Sequence, residues 1–155
     1  MWTWSFAIQL FTAFIGTLGF SIMFRLDKKH LVPAMLAGGF TFFVYYVIEV
    51  LTASLFLAAF IASIASAVIS ELLARVRHAP TILFILPCAI PIVPGGSLYN
   101  AMFHLISKKL DLAWQYLANT LLVTIGIAGG LAAVTLVLHI AYATVAYAKA
   151  KANTK

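Results

Sequence analysis

Charge is what this sequence has least of. Only 9% of the residues are charged, and the acids are Asp27, Glu49, Glu71 and Asp111. Together with 64% hydrophobic residues and a mean hydropathy of +1.06, that scarcity excludes an ordinary soluble domain. A single cysteine, Cys88, excludes an intrachain disulfide framework, and four scattered histidines lack metal-ligand spacing. The short alternating segments of an outer-membrane barrel are missing. So are HExxH and a glycine-rich loop ending in Lys and then Ser or Thr, and PGGSLYN is not a nucleophile elbow. No catalytic residue, metal site or cofactor is expected, and the chain reads as a non-enzyme.

What is present is a series of apolar runs of roughly 20 residues between short charged breaks, the length one helical crossing needs. The expectation is an all-α integral membrane protein with five transmembrane helices, at about 3–24, 31–48, 52–74, 80–103 and 116–142. They form a single transmembrane domain over residues 1–148, followed by a basic tail, 149–155. A tight hairpin must join the second and third helices, because their nearly uncharged stretch is twice the length of one crossing. The N-terminal run lacks a basic n-region and a small-residue cleavage site, so it is expected to remain as a span.

The formal net charge of +6 does not point to nucleic acid, because the basic residues are spread over loops and tail. Five crossings with the C-terminus inside place Arg25, Lys28, Lys29, Arg75, Arg77, Lys149, Lys151 and Lys155 in the cytoplasm and only Lys108 and Lys109 outside. Trp2, Trp4 and Trp114 then share the outer interface, where tryptophan is favoured. A re-entrant fourth segment is the other topology; it brings Lys108 and Lys109 inside but moves the tail lysines out.

The fourth segment is the candidate site. ILPCAIPIVPGGSLYNAM sets Pro87, Pro91, Pro94, Gly95 and Gly96 in an otherwise apolar run. If it is helical, the prolines free the carbonyls of Leu83, Pro87 and Ile90, and the glycines let the chain turn. Counting from Pro80, Pro91 lies roughly 16 Å deep, near the centre of a roughly 30 Å hydrocarbon core. Interrupted backbone at that depth must be buried in protein or line a wet cavity. A helix is expected to restart with Ser97 as N-cap and Tyr99 and Asn100 in its first turn. Its free N–H groups suit a carboxylate, and the carbonyls of the preceding half suit an ammonium group or a cation. A relieved proline kink with no ligand is the competing reading.

Secondary candidates are weaker. Glu49 could be a proton or cation site, but the hairpin favours a solvated interfacial position. His139 could relay protons, yet lies near the inner interface. Asn119, Thr120 and Thr124 fit helix packing better than pathway lining. His104 and Lys108 could attract anions at an outer mouth, although a solvated loop is preferred. Small-residue stripes, Ala59, Ser63, Ser66 and Ser70, then Gly126 and Gly130, then Thr12 with Gly16, read as packing faces.

SELLARVRHAPTILFILPCAIPIVPGGSLYNAM resembles the signature of the threonine/serine exporter family, in its smaller, C-terminal-type half. Ile90, Pro91, Pro94, Gly95, Ser97, Tyr99, Ala101 and Met102 carry the resemblance, with Ala79 and Pro80 before them; Gly19, Phe20 and Phe24 are also similar. It implies one subunit of a two-component inner-membrane exporter of small carboxylate-bearing metabolites, threonine and serine first and dicarboxylates such as succinate next. The implied partners are a larger exporter-family membrane subunit, the lipid bilayer and the small substrate, with a higher oligomer as an option. With all four acids at predicted helix ends, a coupling carboxylate is expected from that larger subunit. A non-transporting scaffold or assembly subunit and a homo-oligomeric pore are the alternatives.

Overall fold

A computed structural model describes residues 2–152, with side chains from Phe6 to Thr144. Six helices follow one another: α1 (Trp2–Met23), α2 (Lys28–Thr52), α3 (Leu55–Arg77), α4 (Ile82–Ala89), α5 (Gly95–Ile106) and α6 (Leu110–Ala152). A 3-10 turn, Ile90–Ile92, extends α4, and no strand occurs among the described residues. Four helices are long and apolar enough to cross a membrane, or five if α4 and α5, bent by 50°, count as one span. The protein is therefore an all-α, multi-pass membrane protein with a broken fourth segment.

The helix ends have local causes. Ala53 closes α2 in the left-handed conformation, φ 50°, and donates its N–H to the Glu49 carbonyl at 2.9 Å. Ser54 then accepts from the Leu57 N–H at 3.4 Å and starts α3, so two residues reverse the chain. This is the tight hairpin expected from run length. Arg25, His78 and Lys108 also take positive φ where other helices end. Glycine usually fills such positions, but these three place basic side chains at the negative end of a helix dipole.

Bulk and smallness are distributed as lipid requires. Large apolar side chains such as Ile8, Phe11, Leu36 and Leu121 point outward, while Ala34, Ala58, Ala59, Ala62, Ser63, Ser66 and Ser70 are buried between helices. Close backbone approach, rather than hydrophobic sequestration, holds helices together in lipid. α3 lies at the centre, packed on α2 and α6; α1 packs on α2, and α4 with its 3-10 turn crosses α1, α2 and α3. Among the described elements, α5 packs on α6 alone. Gly126 and Gly130 of α6 face Ala59, Phe60 and Ser63 of α3, and the Ser63 hydroxyl reaches the Gly126 carbonyl at 3.4 Å. Gly38 and Gly39 of α2 receive Thr17 and Phe14 of α1 in the same way.

Several expectations need correction. α6 is one rod of 43 residues, about 65 Å long, rather than a helix near 116–142 between a polar connection and a separate tail. Its flanks contain neither glycine nor proline, and alanine and lysine near its end favour helix, so nothing stops it. Lys149 and Lys151 thus extend α6 in backbone terms, while their side chains and Lys155 lie outside the described residues. Trp114 is 70% exposed in α6; the Trp2 and Trp4 side chains also lie outside the described residues.

At the end of α3, Glu71 accepts from Arg75 Nε at 3.1 Å, from the Tyr142 hydroxyl at 2.5 Å and from the Thr81 hydroxyl at 2.8 Å. Arg75 also bonds the Tyr142 hydroxyl and lies 5.2 Å from its ring centroid. One carboxylate thus ties α3, α6 and the turn into α4 together. Glu71→Ala is expected to lower the melting midpoint of purified protein by a few degrees, with transport retained, since partly exposed ion pairs contribute little. Thermal unfolding in detergent measures it.

Candidate functional site

The break is made by backbone, not by its glycines. Val93 is extended and Pro94 takes ψ 50°, while neither Gly95 nor Gly96 has positive φ. The expected turn at the glycines is therefore displaced two residues upstream. The Ile90 carbonyl accepts the Val93 N–H at 3.1 Å, so it is not free, because the 3-10 turn captures it. α5 begins at Gly95 with Pro94 as N-cap, so Ser97 sits inside the first turn instead of capping it. Gly95 N–H bends back to the Val93 carbonyl at 2.8 Å, and no side chain caps the turn. Gly96 and Ser97 present the orphan N–H groups that a helix start leaves.

A cavity of about 980 Å³ opens beside this turn, at the upper end of small-molecule sites in size. Pro91, Pro94, Gly96 and Ser97 form one wall. α1 contributes Gln9, Thr12, Ala13, Gly16 and Thr17, one face at helical spacing, and α2 contributes Tyr45, Tyr46 and Glu49 among others. Gly16 meets nothing within 4 Å of where a Cβ would stand. Thr12 and Gly16 thus line the cavity and do not form the packing face expected of them.

Electrostatically the cavity is lopsided. Glu49 is half-buried, near the end of α2, and pairs with no cation or hydrogen-bond donor among the described side chains. Among the described residues, no lysine or arginine lines the space. The hydroxyls of Thr12 and Thr17 are spent on the carbonyls of Gln9 and Ala13, both at 2.8 Å. Glu49, the Gln9 amide, the Tyr45 and Tyr46 hydroxyls, Ser97 and the first N–H groups of α5 are left for a solute.

The other sequence candidates lie elsewhere. Pro87 is buried within α4, and Gly95 is exposed outside the cavity lining. Tyr99 is 68% exposed and stacks on Phe103, and Asn100 is half-buried outside the lining. Thr120 and Thr124 donate to the carbonyls of Tyr116 and Thr120 on their own helix, at 2.8 and 2.7 Å. Asn119 and His139 also sit on α6, away from the cavity. His104 belongs to the last turn of α5 and stacks on Tyr116, 5.4 Å between centroids, so it is packed and not in a solvated loop. No cluster of His, Cys, Asp or Glu suited to a metal occurs among the described residues.

Gln9, Thr17, Tyr45 and Tyr46 were not singled out by sequence. Their signal is periodic: Gln9, Thr12 and Gly16 share one face of α1, and Tyr45 and Glu49 are one turn apart on α2.

Comparison with curated proteins and with solved structures gives no match. The family model described as "Threonine/Serine exporter, ThrE" matches residues 9–137, which include α2 to α5, the broken segment and the whole cavity lining. Motif, architecture and family model agree, and the chain belongs to the threonine/serine exporter family.

Proposed function

We propose that this chain is one subunit of a two-component inner-membrane exporter that moves small amino acids, threonine and serine first, out of the cell. One observation carries the reading: Glu49, a carboxylate without a partner among the described residues, and the uncapped start of α5 line the same cavity. A zwitterion fits both, its ammonium group toward Glu49 and its carboxylate toward the N–H groups of Gly96 and Ser97. The ammonium partner is thereby a side chain on α2 and not the carbonyls of the preceding half-helix. A dicarboxylate fits worse, because it meets Glu49 as a like charge with no cation among the described lining residues to offset it. The Gln9 amide and the tyrosine hydroxyls can accept or donate to a substrate hydroxyl.

The larger subunit implied by the family resemblance would complete the open side of the cavity and supply coupling charge. Rocking of helix groups about the broken segment would give alternating access. Charge bias among the loops supports an external N-terminus and a cytoplasmic C-terminus.

Efflux of labelled threonine, serine and succinate from loaded cells lacking the native copy tests this. Re-expression with the larger subunit restores threonine and serine efflux and leaves succinate retention unchanged. Unchanged retention of all three supports a scaffold, and leak through the purified chain alone in liposomes supports a pore. Gly96→Leu is expected to slow efflux several-fold at unchanged membrane abundance. A Cβ at Gly96 meets nothing within 4 Å, so the side chain grows into the cavity and not into protein. Efflux equal to wild type would move the pathway elsewhere.

A further inference from the structure

A second groove, of about 640 Å³, runs between α2 and α3 at the end away from their hairpin. Along α2 it is lined by Lys29, Val32, Leu36 and Phe40, and along α3 by Ile69, Leu73 and Arg77. Both rows advance by about one turn per residue, so each is a single helix face. From Lys29 to Phe40 the groove descends about 16 Å, half the roughly 30 Å hydrocarbon core. Its floor is apolar and its rim is cationic. Val32, Leu36 and Phe40 are 56%, 55% and 49% exposed on a helix apolar enough to span, so the trough opens toward hydrocarbon.

The rim is short of anions. Arg77 meets no carboxylate among the described residues, and Lys29 approaches Asp27 at 3.8 Å with both side chains largely exposed, a weak pair. Arg25, Lys28, Lys29, Arg75 and Arg77 crowd this end against Asp27 and Glu71 alone, and Glu71 is already held by Arg75. A phosphate bridging Lys29 and Arg77 would offset that excess, and a groove one leaflet deep has the shape of an acyl chain. We propose that this groove binds an anionic phospholipid, its phosphate between Lys29 and Arg77 and one acyl chain along Val32, Leu36 and Phe40. The site is independent of the transport cavity, which Lys29 and Arg77 do not line.

The test uses the full chain purified in detergent, with phosphatidylglycerol, phosphatidylcholine or glycerol phosphate added. Bound lipid is counted by native mass spectrometry and the melting midpoint is followed in parallel. Phosphatidylglycerol is expected to stay bound and raise the midpoint, while phosphatidylcholine and glycerol phosphate do neither. Lys29→Gln and Arg77→Gln each weaken retention roughly fivefold, and Lys108→Gln at the opposite end leaves it unchanged. Leu36→Trp, an exposed apolar exchange, fills the trough and displaces the lipid with both charges in place. Equal retention of both lipids by wild type, or phosphatidylglycerol binding that survives all three groove variants, overturns the proposal. A dimer that ignores lipid and dissociates in Leu36→Trp assigns the groove to a second copy instead.

Discussion

Glu49→Gln is expected to lower threonine and serine efflux by roughly ten- to a hundredfold, the cost of removing one member of a charge pair in a partly desolvated site. Glutamine keeps the shape and the hydrogen-bonding oxygen but loses the charge that the proposed site sets against an ammonium group. Glu49 contributes no ion pair to the described fold, so the amount of protein in the membrane and its melting midpoint should not fall. Glu49→Asp, which keeps the charge on a shorter stem, should recover part of the rate. Efflux kinetics from loaded cells, normalised to protein in the membrane, decide the matter. A loss appearing equally with threonine and with 3-hydroxybutyrate, which keeps the carboxylate and lacks the amino group, would detach Glu49 from ammonium recognition. Succinate offers the converse control: if it is carried at all, Glu49→Gln should help it, because a like charge disappears.

Gly130→Leu is expected to destabilise the fold by about 3 kcal/mol or more. A Cβ at Gly130 would overlap the Ser63 hydroxyl and press on the Phe60 carbonyl at 2.5 Å. Backbone cannot yield there without separating α3 from α6, the most extensive helix pair of the protein. Gly126 is similarly confined, with the Phe56 carbonyl at 2.8 Å. Gly129 provides the internal control. Its Cβ would stand 3.4 Å from the Phe60 ring, an ordinary contact, so Gly129→Ala should leave stability nearly unchanged. Protease sensitivity and thermal unfolding of the two variants, side by side, measure the difference. A Gly130→Leu protein as stable as wild type would mean that the two helices do not meet as described.

How much of this was legible in the sequence depended on which signal each residue obeys. Run length and the scarcity of charge gave the helices and the hairpin, because hydrocarbon thickness sets the length of a crossing. Gly126 and Gly130 read as a packing face for the same reason that they pack, namely that they carry no side chain. Prolines located the broken segment, but its geometry was misread: Val93 and Pro94 turn the chain, and the 3-10 turn recaptures the Ile90 carbonyl. Composition cannot say which residue of a proline-glycine cluster bends. Thr12 and Gly16 were misassigned because a small face signals equally a close neighbour and an open space. Gln9, Tyr45 and Tyr46 become visible as wall residues only once α1 and α2 are set beside the break, since no one helix carries the cavity alone.

α6 is gripped by α3 at Gly126 and Gly130, close to the middle of its 43 residues, and among the described elements α5 rests on α6 alone. Mechanically this is an oar in a rowlock. Tilting the shaft about that fulcrum sweeps its two ends in opposite senses, and the blade, α5, goes with it. Since Gly96 rides on the blade and Glu49 is fixed to the hull through α2, such a stroke would change the gap between that carboxylate and the start of α5, the two ends of the proposed site.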